Sequence, residues 1–196
     1  FNPRLTLGAA YTHEKDTISY KVGGNGENQA NLGAIYALYR PKRFYVFGDI
    51  TFGVNSMNIR RHINVGTLHY RPKANTKVNE VSGYLEVGVD VGLHSVLLQP
   101  FAALETGCFS FGNIREHGGF PFAVNVKGKD YNMSASRLGV RLSSAPLLSG
   151  FYMGLDLSWN YRFTGNDNNI LVQFQDFGTP FRIKGLPLQR NSFEGT

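Results

Sequence analysis

The chain has 196 residues, which fits one domain, and a net charge of +6 at pH 7. No run approaches the roughly 18 consecutive apolar residues of a membrane helix. The mean hydropathy of -0.22 does not detect strands that alternate lipid-facing and lumen-facing residues, because the two kinds of residue cancel in the average. Basic residues are scattered singly without a nucleic-acid-binding motif, and the single Cys108 excludes an intramolecular disulfide.

Twenty-three glycines, fifteen phenylalanines and ten tyrosines favour β-strands and turns over helices. Apolar and polar residues alternate with a period of two along seven segments, as in strands with one face in an apolar environment. In chain order these predicted strands cover residues 4–12, 28–40, 43–57, 81–93, 96–111, 133–142 and 151–163. An eighth strand is predicted at 169–177, and Phe181 begins another. In the second strand we assign Leu32, Ala34, Tyr36 and Leu38 to the apolar side.

The most regular predicted strand, residues 151–163, has one side that is entirely apolar or aromatic. That side carries Phe151, Met153, Leu155, Leu157, Trp159, Tyr161 and Phe163, while the other side is almost all polar or small. At about 3.3 Å per residue the strand would be about 43 Å long. It is long enough to cross a bilayer at a tilt, since a membrane strand needs about 9 to 11 residues.

The connections between predicted strands alternate in length. Those at residues 14–27, 60–79 and 113–132 are long and polar, whereas those at 41–42, 94–95 and 144–150 are tight. Short turns at one end and long loops at the other are typical of an antiparallel up-and-down meander whose two ends face different surroundings.

Charged residues fall on the polar side of the predicted strands, beside small residues such as Gly88 and Gly139. Eight of them are candidate lumen-facing residues: Asp49, Glu86, Asp90, Glu105, Arg137, Arg141, Asp156 and Arg162. In a soluble barrel the apolar side would be the interior and these charges would contact bulk water. In a membrane barrel the two sides are reversed, so that the charges face the lumen.

Aromatic residues favour the membrane form. They cluster toward strand ends on the apolar side, where interfacial girdles are expected: Phe44, Phe151, Trp159, Tyr161 and Phe163. We therefore predict an all-β, antiparallel up-and-down transmembrane β-barrel. Arginine in place of Leu155 or Val89 should then cost about 2 to 4 kcal/mol near the bilayer midplane, while Asp156→Asn should be mild.

Three segments of the C-terminal half carry a family resemblance. Residues 99–105 read QPFAALE and residues 136–142 read SRLGVRL. LSWNYRF at 157–163 is followed by FRIKGLPL at 181–188 and RNS at 190–192. In order and spacing these motifs resemble those of the C-terminal translocator barrel of bacterial autotransporters, the type V secretion proteins. Residues 1–98 fit only as generic barrel strands.

The resemblance implies a twelve-stranded barrel in the bacterial outer membrane that anchors an N-terminal passenger domain and assists its export to the cell surface. The partners it implies are outer-membrane lipid, the protein's own passenger and the barrel assembly machinery, and no nucleic acid is expected. We interpret residues 1–196 as a single translocator domain that lacks the first and last strands of the family's barrel.

No catalytic or metal-binding arrangement is predicted from the sequence. The five histidines lie in predicted loops or turns without the spacing of a metal pair, and the Ser and Cys residues lack a nucleophile-elbow context. We therefore expect neither enzyme activity nor a cofactor. Two alternatives stay open: a porin-like outer-membrane barrel, which conductance would reveal, and a ligand-binding β-barrel that is soluble without detergent.

Overall fold

The computed structural model of the chain describes residues 4–19, 23–94, 96–144, 153–164, 169–175, 177–185 and 188–196. Within these residues all regular secondary structure is β, and no helix is long and apolar enough to cross a membrane. In chain order the strands are β1 (Leu5–Ser19), β2 (Gly24–Tyr39), β3 (Phe44–Arg61), β4 (Ile63–Val65), β5 (Leu68–Tyr70), β6 (Lys73–Val89), β7 (Val91–Leu93), β8 (Val96–Phe111), β9 (Ile114–Arg115), β10 (Val124–Val126), β11 (Lys129–Ser144), β12 (Gly154–Arg162), β13 (Ile170–Phe174), β14 (Phe181–Ile183) and β15 (Asn191–Gly195).

The main sheet is an antiparallel meander. Its strands follow the order β1-β2-β3-β6-β8-β11-β12-β15, and the short β7 also pairs with β8. The register is continuous along the longest pair, where β3 lies opposite β6 from Phe44 against Val89 to Arg60 against Lys73. This arrangement confirms the all-β, up-and-down prediction. Along the described residues the order is open, with β1 at one end and β15 at the other.

The strands of the main sheet extend into segments that the sequence predicted as loops. β1 continues to Ser19 and β2 begins at Gly24, so the predicted loop at 14–27 is wrong, and Lys15 forms an ion pair with Glu27 across this hairpin. The segments 60–79 and 113–132 likewise contain strand residues. Backbone ladders and cross-strand ion pairs stabilise such polar strands, which carry no hydrophobic alternation in the sequence.

A second sheet has four strands, in the order β14-β13-β10-β9, and these strands pair separately from those of the meander. We call these four strands the cap sheet. The prediction that residues 169–177 form the eighth crossing and that Phe181 begins another is wrong, because β13 and β14 belong to the cap sheet. The eighth strand of the meander is β15. β13 has only five residues, too few to cross a bilayer, which needs about 9 to 11.

The two faces of the main sheet differ sharply in chemistry and exposure. One face, the apolar face, carries Leu85, Leu104 and Leu138, whose exposed fractions are 50%, 57% and 49%. The opposite face, the polar face, carries Glu86 at 3% exposure and Phe101 at 5%. Burial of charge beside exposure of leucine is the reverse of the usual distribution in a water-soluble domain.

The face assignment of the second strand was wrong. In the register of β2 with β3, Tyr36 lies opposite Asp49 and Ile35 lies opposite Ile50. Tyr36 and its alternate neighbours Leu32, Ala34 and Leu38 therefore share the polar face. Both sides of β2 carry apolar residues, so its alternation alone could not decide which side faces which environment.

Aromatic residues lie on the apolar face near both ends of the meander. Phe44 begins β3 beside the tight turn at 40–43 and is 62% exposed. At the opposite end, where the cap sheet lies, the ring of Tyr161 contacts those of Trp159 and Phe163. We refer to these as the tight-turn end and the long-loop end. Phe151 and most of the predicted turn at 144–150 lie outside the described residues.

Candidate functional site

A polar cluster on the polar face joins several strands of the main sheet. Its centre is Glu86 of β6, which lies opposite Ala103 of β8. Arg141 of β11 lies opposite Asp156 of β12. β8 separates β6 from β11, so the arginine reaches the glutamate across an intervening strand, and its guanidinium lies over the ring of Phe101 on that strand.

Arg141 makes a bidentate ion pair with Glu86. Its Nη1 donates to Oε1 at 2.6 Å and its Nη2 donates to Oε2 at 2.9 Å. Its Nε donates to Oδ2 of Asp156 at 2.9 Å. One guanidinium therefore neutralises carboxylates from two strands in the planar geometry that arginine favours.

Two tyrosines complete the hydrogen bonding of the buried Glu86 carboxylate. The hydroxyl of Tyr45 on β3 donates to Oε1 at 2.8 Å, and the hydroxyl of Tyr84 donates to Oε2. Both oxygens of a carboxylate that is 3% exposed thus have a tyrosine and an arginine donor. This full set of partners offsets the cost of removing the charge from water.

Glycines make room for the aromatic rings of the cluster. The guanidinium carbon of Arg141 lies 4.1 Å from the centroid of the Phe101 ring. A Cβ at Gly139 would approach Cζ of Phe101 to 2.5 Å, and a Cβ at Gly88 would approach Cζ of Tyr45 to 2.4 Å. Any larger residue at either glycine would displace a ring that supports the ion pair.

Arg137 continues the network toward the edge of the sheet. Its Nε donates to Oγ of Ser158 at 2.9 Å. Its Nη2 lies 3.5 Å from Oδ1 of Asp156 and 3.7 Å from Oε2 of Glu194 on β15. The cluster therefore links β3, β6, β8, β11, β12 and β15 through side chains, in addition to their backbone ladders.

The eight predicted lumen candidates share the polar face but do not form one site. Glu86, Arg137, Arg141 and Asp156 meet in the cluster just described. Asp90 forms a separate group at the tight-turn end, where it accepts a hydrogen bond from Gln99 at 2.7 Å and lies 3.6 Å from Arg40.

The remaining three candidates lie closer to the long-loop end. Asp49 and Glu105 line a common cavity of about 390 Å³ with Tyr84. Arg162 lies opposite Ala135, and its Nε is buried without a hydrogen-bond partner among the described residues.

The cluster also contains uncharged side chains that were not among the predicted candidates: Tyr45, Tyr84, Phe101 and Ser158. A signal for them existed, because they alternate in step with the charged residues of the same strands, as Tyr84 does with Glu86. The ion pair of Arg141 with Glu86, which crosses β8, could not be inferred from alternation within single strands. Among the described residues no group of three or more His, Cys, Asp or Glu side chains could hold a metal ion.

A second ion pair fastens the segment around β9 to the main sheet. Glu116, 3% exposed, accepts hydrogen bonds from Nε and Nη2 of Arg61 at the end of β3, both at 2.5 Å. It also accepts the backbone N–H of Val124 at 3.0 Å. His117 and Lys73 exchange backbone hydrogen bonds of 2.8 and 2.9 Å beside this pair.

Comparison with known proteins identifies the family. The family model described as autotransporter beta-domain matches residues 1–196. The chain is 25% identical over 195 residues to an extracellular serine protease of Serratia marcescens, covering 96% of this chain but only 18% of that relative. The translocator domain of the autotransporter NalP from Neisseria meningitidis has a similar fold, with a TM-score of 0.70 and 14% identity over 99% of this chain and 73% of that one.

The sequence match and the fold match point to the same class of protein as the three C-terminal motifs. The chain spans only 18% of the length of the Serratia protease, so the match carries no protease activity over to this chain. The chain therefore belongs to the autotransporter beta-domain family and is an outer-membrane translocator domain for a passenger domain.

Proposed function

We propose that the chain anchors its protein in the outer membrane and assists the export of its own N-terminal passenger to the cell surface, with the polar face lining the lumen. The observation that carries this proposal is the inverted distribution of side chains. Leu85, Leu104 and Leu138 are about half exposed on one face, while Glu86 is buried on the other. Lipid contact removes the cost of exposing leucine, and a lumen accommodates charge.

The charges of the polar cluster suit a passage for an extended polypeptide. Arg137 and Arg141 are matched by Glu86 and Asp156, with Glu194 nearby. When the charges on the lumen wall are paired, the wall produces only a weak electric field in the lumen. Each cation is offset by a carboxylate within about a hydrogen-bond length. A transiting chain of either charge would therefore meet no strong electrostatic trap at this level of the lumen.

We also propose that residues 1–196 are one translocator domain, and that further strands complete a barrel of twelve. An open sheet would present unpaired backbone N–H and C=O groups to hydrocarbon at β1 and β15, which is costly in a membrane. The outer-membrane lipid and the barrel assembly machinery are the proposed partners besides the passenger. The proposed role of this domain is passive and requires no enzyme activity.

The test uses the full-length protein with an epitope tag in the passenger, expressed in a Gram-negative host. Protease added to intact cells should remove the tag if the passenger reaches the surface. A tag that stays protected while the β-domain is inserted would contradict the export role, and a large open-pore conductance without passenger display would favour the porin-like alternative.

A matched pair of variants connects this assay to the structure. Leu104 and Glu105 are neighbours on β8 that lie on opposite faces of the sheet. Leu104→Arg places a charge against lipid and should lower both insertion and display, at a cost of about 2 to 4 kcal/mol. Glu105→Arg changes charge on the polar face and should leave insertion close to wild type.

A further inference from the structure

An apolar cavity of about 490 Å³ lies between the polar face and the cap sheet at the long-loop end. The main sheet contributes Met57 and Ile59 from β3 and Phe111 from β8, and the cap sheet contributes Ile114, Val126 and Ile170. This largely apolar lining contrasts with the charged cluster around Glu86 on the same face. The cap sheet and the polar face thus line a half-open space whose chemistry differs from that of the cluster.

A second cavity of about 340 Å³ adjoins the first. The two share five lining residues, Lys127, Gly128, Lys129, Asn169 and Ile170. The second cavity adds Arg182 of β14. Along the described residues, the combined lining therefore includes the cationic side chains of Lys127 and Arg182. An apolar compartment therefore adjoins a basic one.

We propose that these two cavities bind a free fatty-acid-like carboxylate. Its alkyl chain occupies the apolar cavity, and its carboxylate lies in the basic cavity near Lys127 and Arg182. The volumes fall within the range of about 300 to 1,000 Å³ that is usual for small-molecule sites. Burial of methylenes favours the apolar compartment, and the cations favour an anionic head group over a neutral one.

The position of the cavities sets how the ligand enters. They lie on the polar face, so the main sheet separates them from the apolar face and from bilayer lipid. The ligand therefore enters from the aqueous side at the long-loop end as a single-chain amphiphile. This inference does not depend on passenger export, because binding to the cavities is measured without a passenger signal.

The test uses the full-length protein in phosphatidylcholine nanodiscs and dodecanoate with a terminal diazirine, with the matching diazirine alcohol as the neutral probe. After illumination, mass spectrometry locates the cross-linked residues. We expect cross-links at Met57, Phe111 or Ile114, about tenfold more from the carboxylate than from the alcohol. Competition by unlabelled carboxylates should strengthen about fourfold for each added methylene between eight and twelve carbons.

Charge variants supply the control. Lys127→Ala and Arg182→Ala should each lower carboxylate labelling without changing alcohol labelling. Lys77→Ala removes an exposed cation from β6 outside both cavities and should have no effect. Three results would overturn the proposal: equal labelling by carboxylate and alcohol, cross-links confined to apolar-face residues such as Leu104, or no cavity labelling because a segment of polypeptide fills the space.

Discussion

Replacing Arg141 by methionine is the sharpest perturbation of the polar cluster, because methionine keeps much of the side-chain length and removes every hydrogen-bond donor. Glu86, with 3% exposure, would lose its bidentate partner, and Asp156 would lose the hydrogen bond from Nε. The tyrosine hydroxyls of Tyr45 and Tyr84 would still donate to Glu86. The variant therefore isolates the contribution of the cation.

The expected magnitude follows from burial and from the partners that remain. Removing one member of a fully buried ion pair costs about 3 to 5 kcal/mol. The side chain of Arg141 is 33% exposed and Glu86 keeps its tyrosine donors, so we expect about 2 to 3 kcal/mol. Glu86→Gln leaves Arg141 paired with Asp156 and should cost about 1 to 2 kcal/mol.

A double-mutant cycle separates the pair from its surroundings. The β-domain of the full-length protein is folded into phosphatidylcholine vesicles and unfolded with guanidinium, and tryptophan fluorescence, including that of Trp159, follows the transition. We expect a coupling free energy of about 1 to 2 kcal/mol between Arg141→Met and Glu86→Gln. A coupling below about 0.5 kcal/mol, the range of independent sites, would refute the ion pair across β8.

Three further variants test other parts of the account. Leu155→Arg, on the apolar face, should destabilise the vesicle-inserted protein by about 2 to 4 kcal/mol in the same unfolding assay, and wild-type stability would contradict lipid contact there. Gly139→Ala brings a Cβ to 2.5 Å from the Phe101 ring and should destabilise the protein by about 1 to 3 kcal/mol. Gly33→Ala, whose Cβ would have nothing within 4 Å, should be close to neutral. Equal destabilisation by both variants would show that Gly139 is not needed to make room for the ring. Glu116→Gln weakens the pair with Arg61, so protease should cleave the cap sheet faster on intact cells; unchanged cleavage would show that the pair does not fasten it.

The meander could be predicted because lipid and lumen impose opposite chemistries on alternate residues. β8 was predicted with the bounds that the structure gives it, Val96–Phe111. β2 shows where this signal fails, since Ile35 and Tyr36 on adjacent positions are both apolar while only Tyr36 lies on the polar face. Register with a neighbouring strand decides such cases, and register is a property of the fold.

The cap sheet and the polar cluster depend on contacts between distant residues, which alternation cannot reveal. The short strands of the cap sheet carry too few residues for a periodic signal, so β13 was mistaken for a membrane crossing. In the cluster, Asp156 was expected to tolerate a change to Asn, yet it accepts a 2.9 Å hydrogen bond from Arg141. The mild effect expected of Asp156→Asn stays a prediction.

Spin labels on neighbouring residues distinguish contact of the apolar face with hydrocarbon from contact of the polar face with the lumen. They are placed one at a time at Val81, Ser82, Leu104 and Glu105 of the full-length protein in which Cys108 is replaced by serine. In nanodiscs, collision with dissolved oxygen reports lipid exposure, and collision with a water-soluble nickel chelate reports aqueous exposure. We expect oxygen access at 81 and 104 and nickel access at 82 and 105. The opposite alternation, or nickel access at all four positions, would show that the apolar face does not contact lipid.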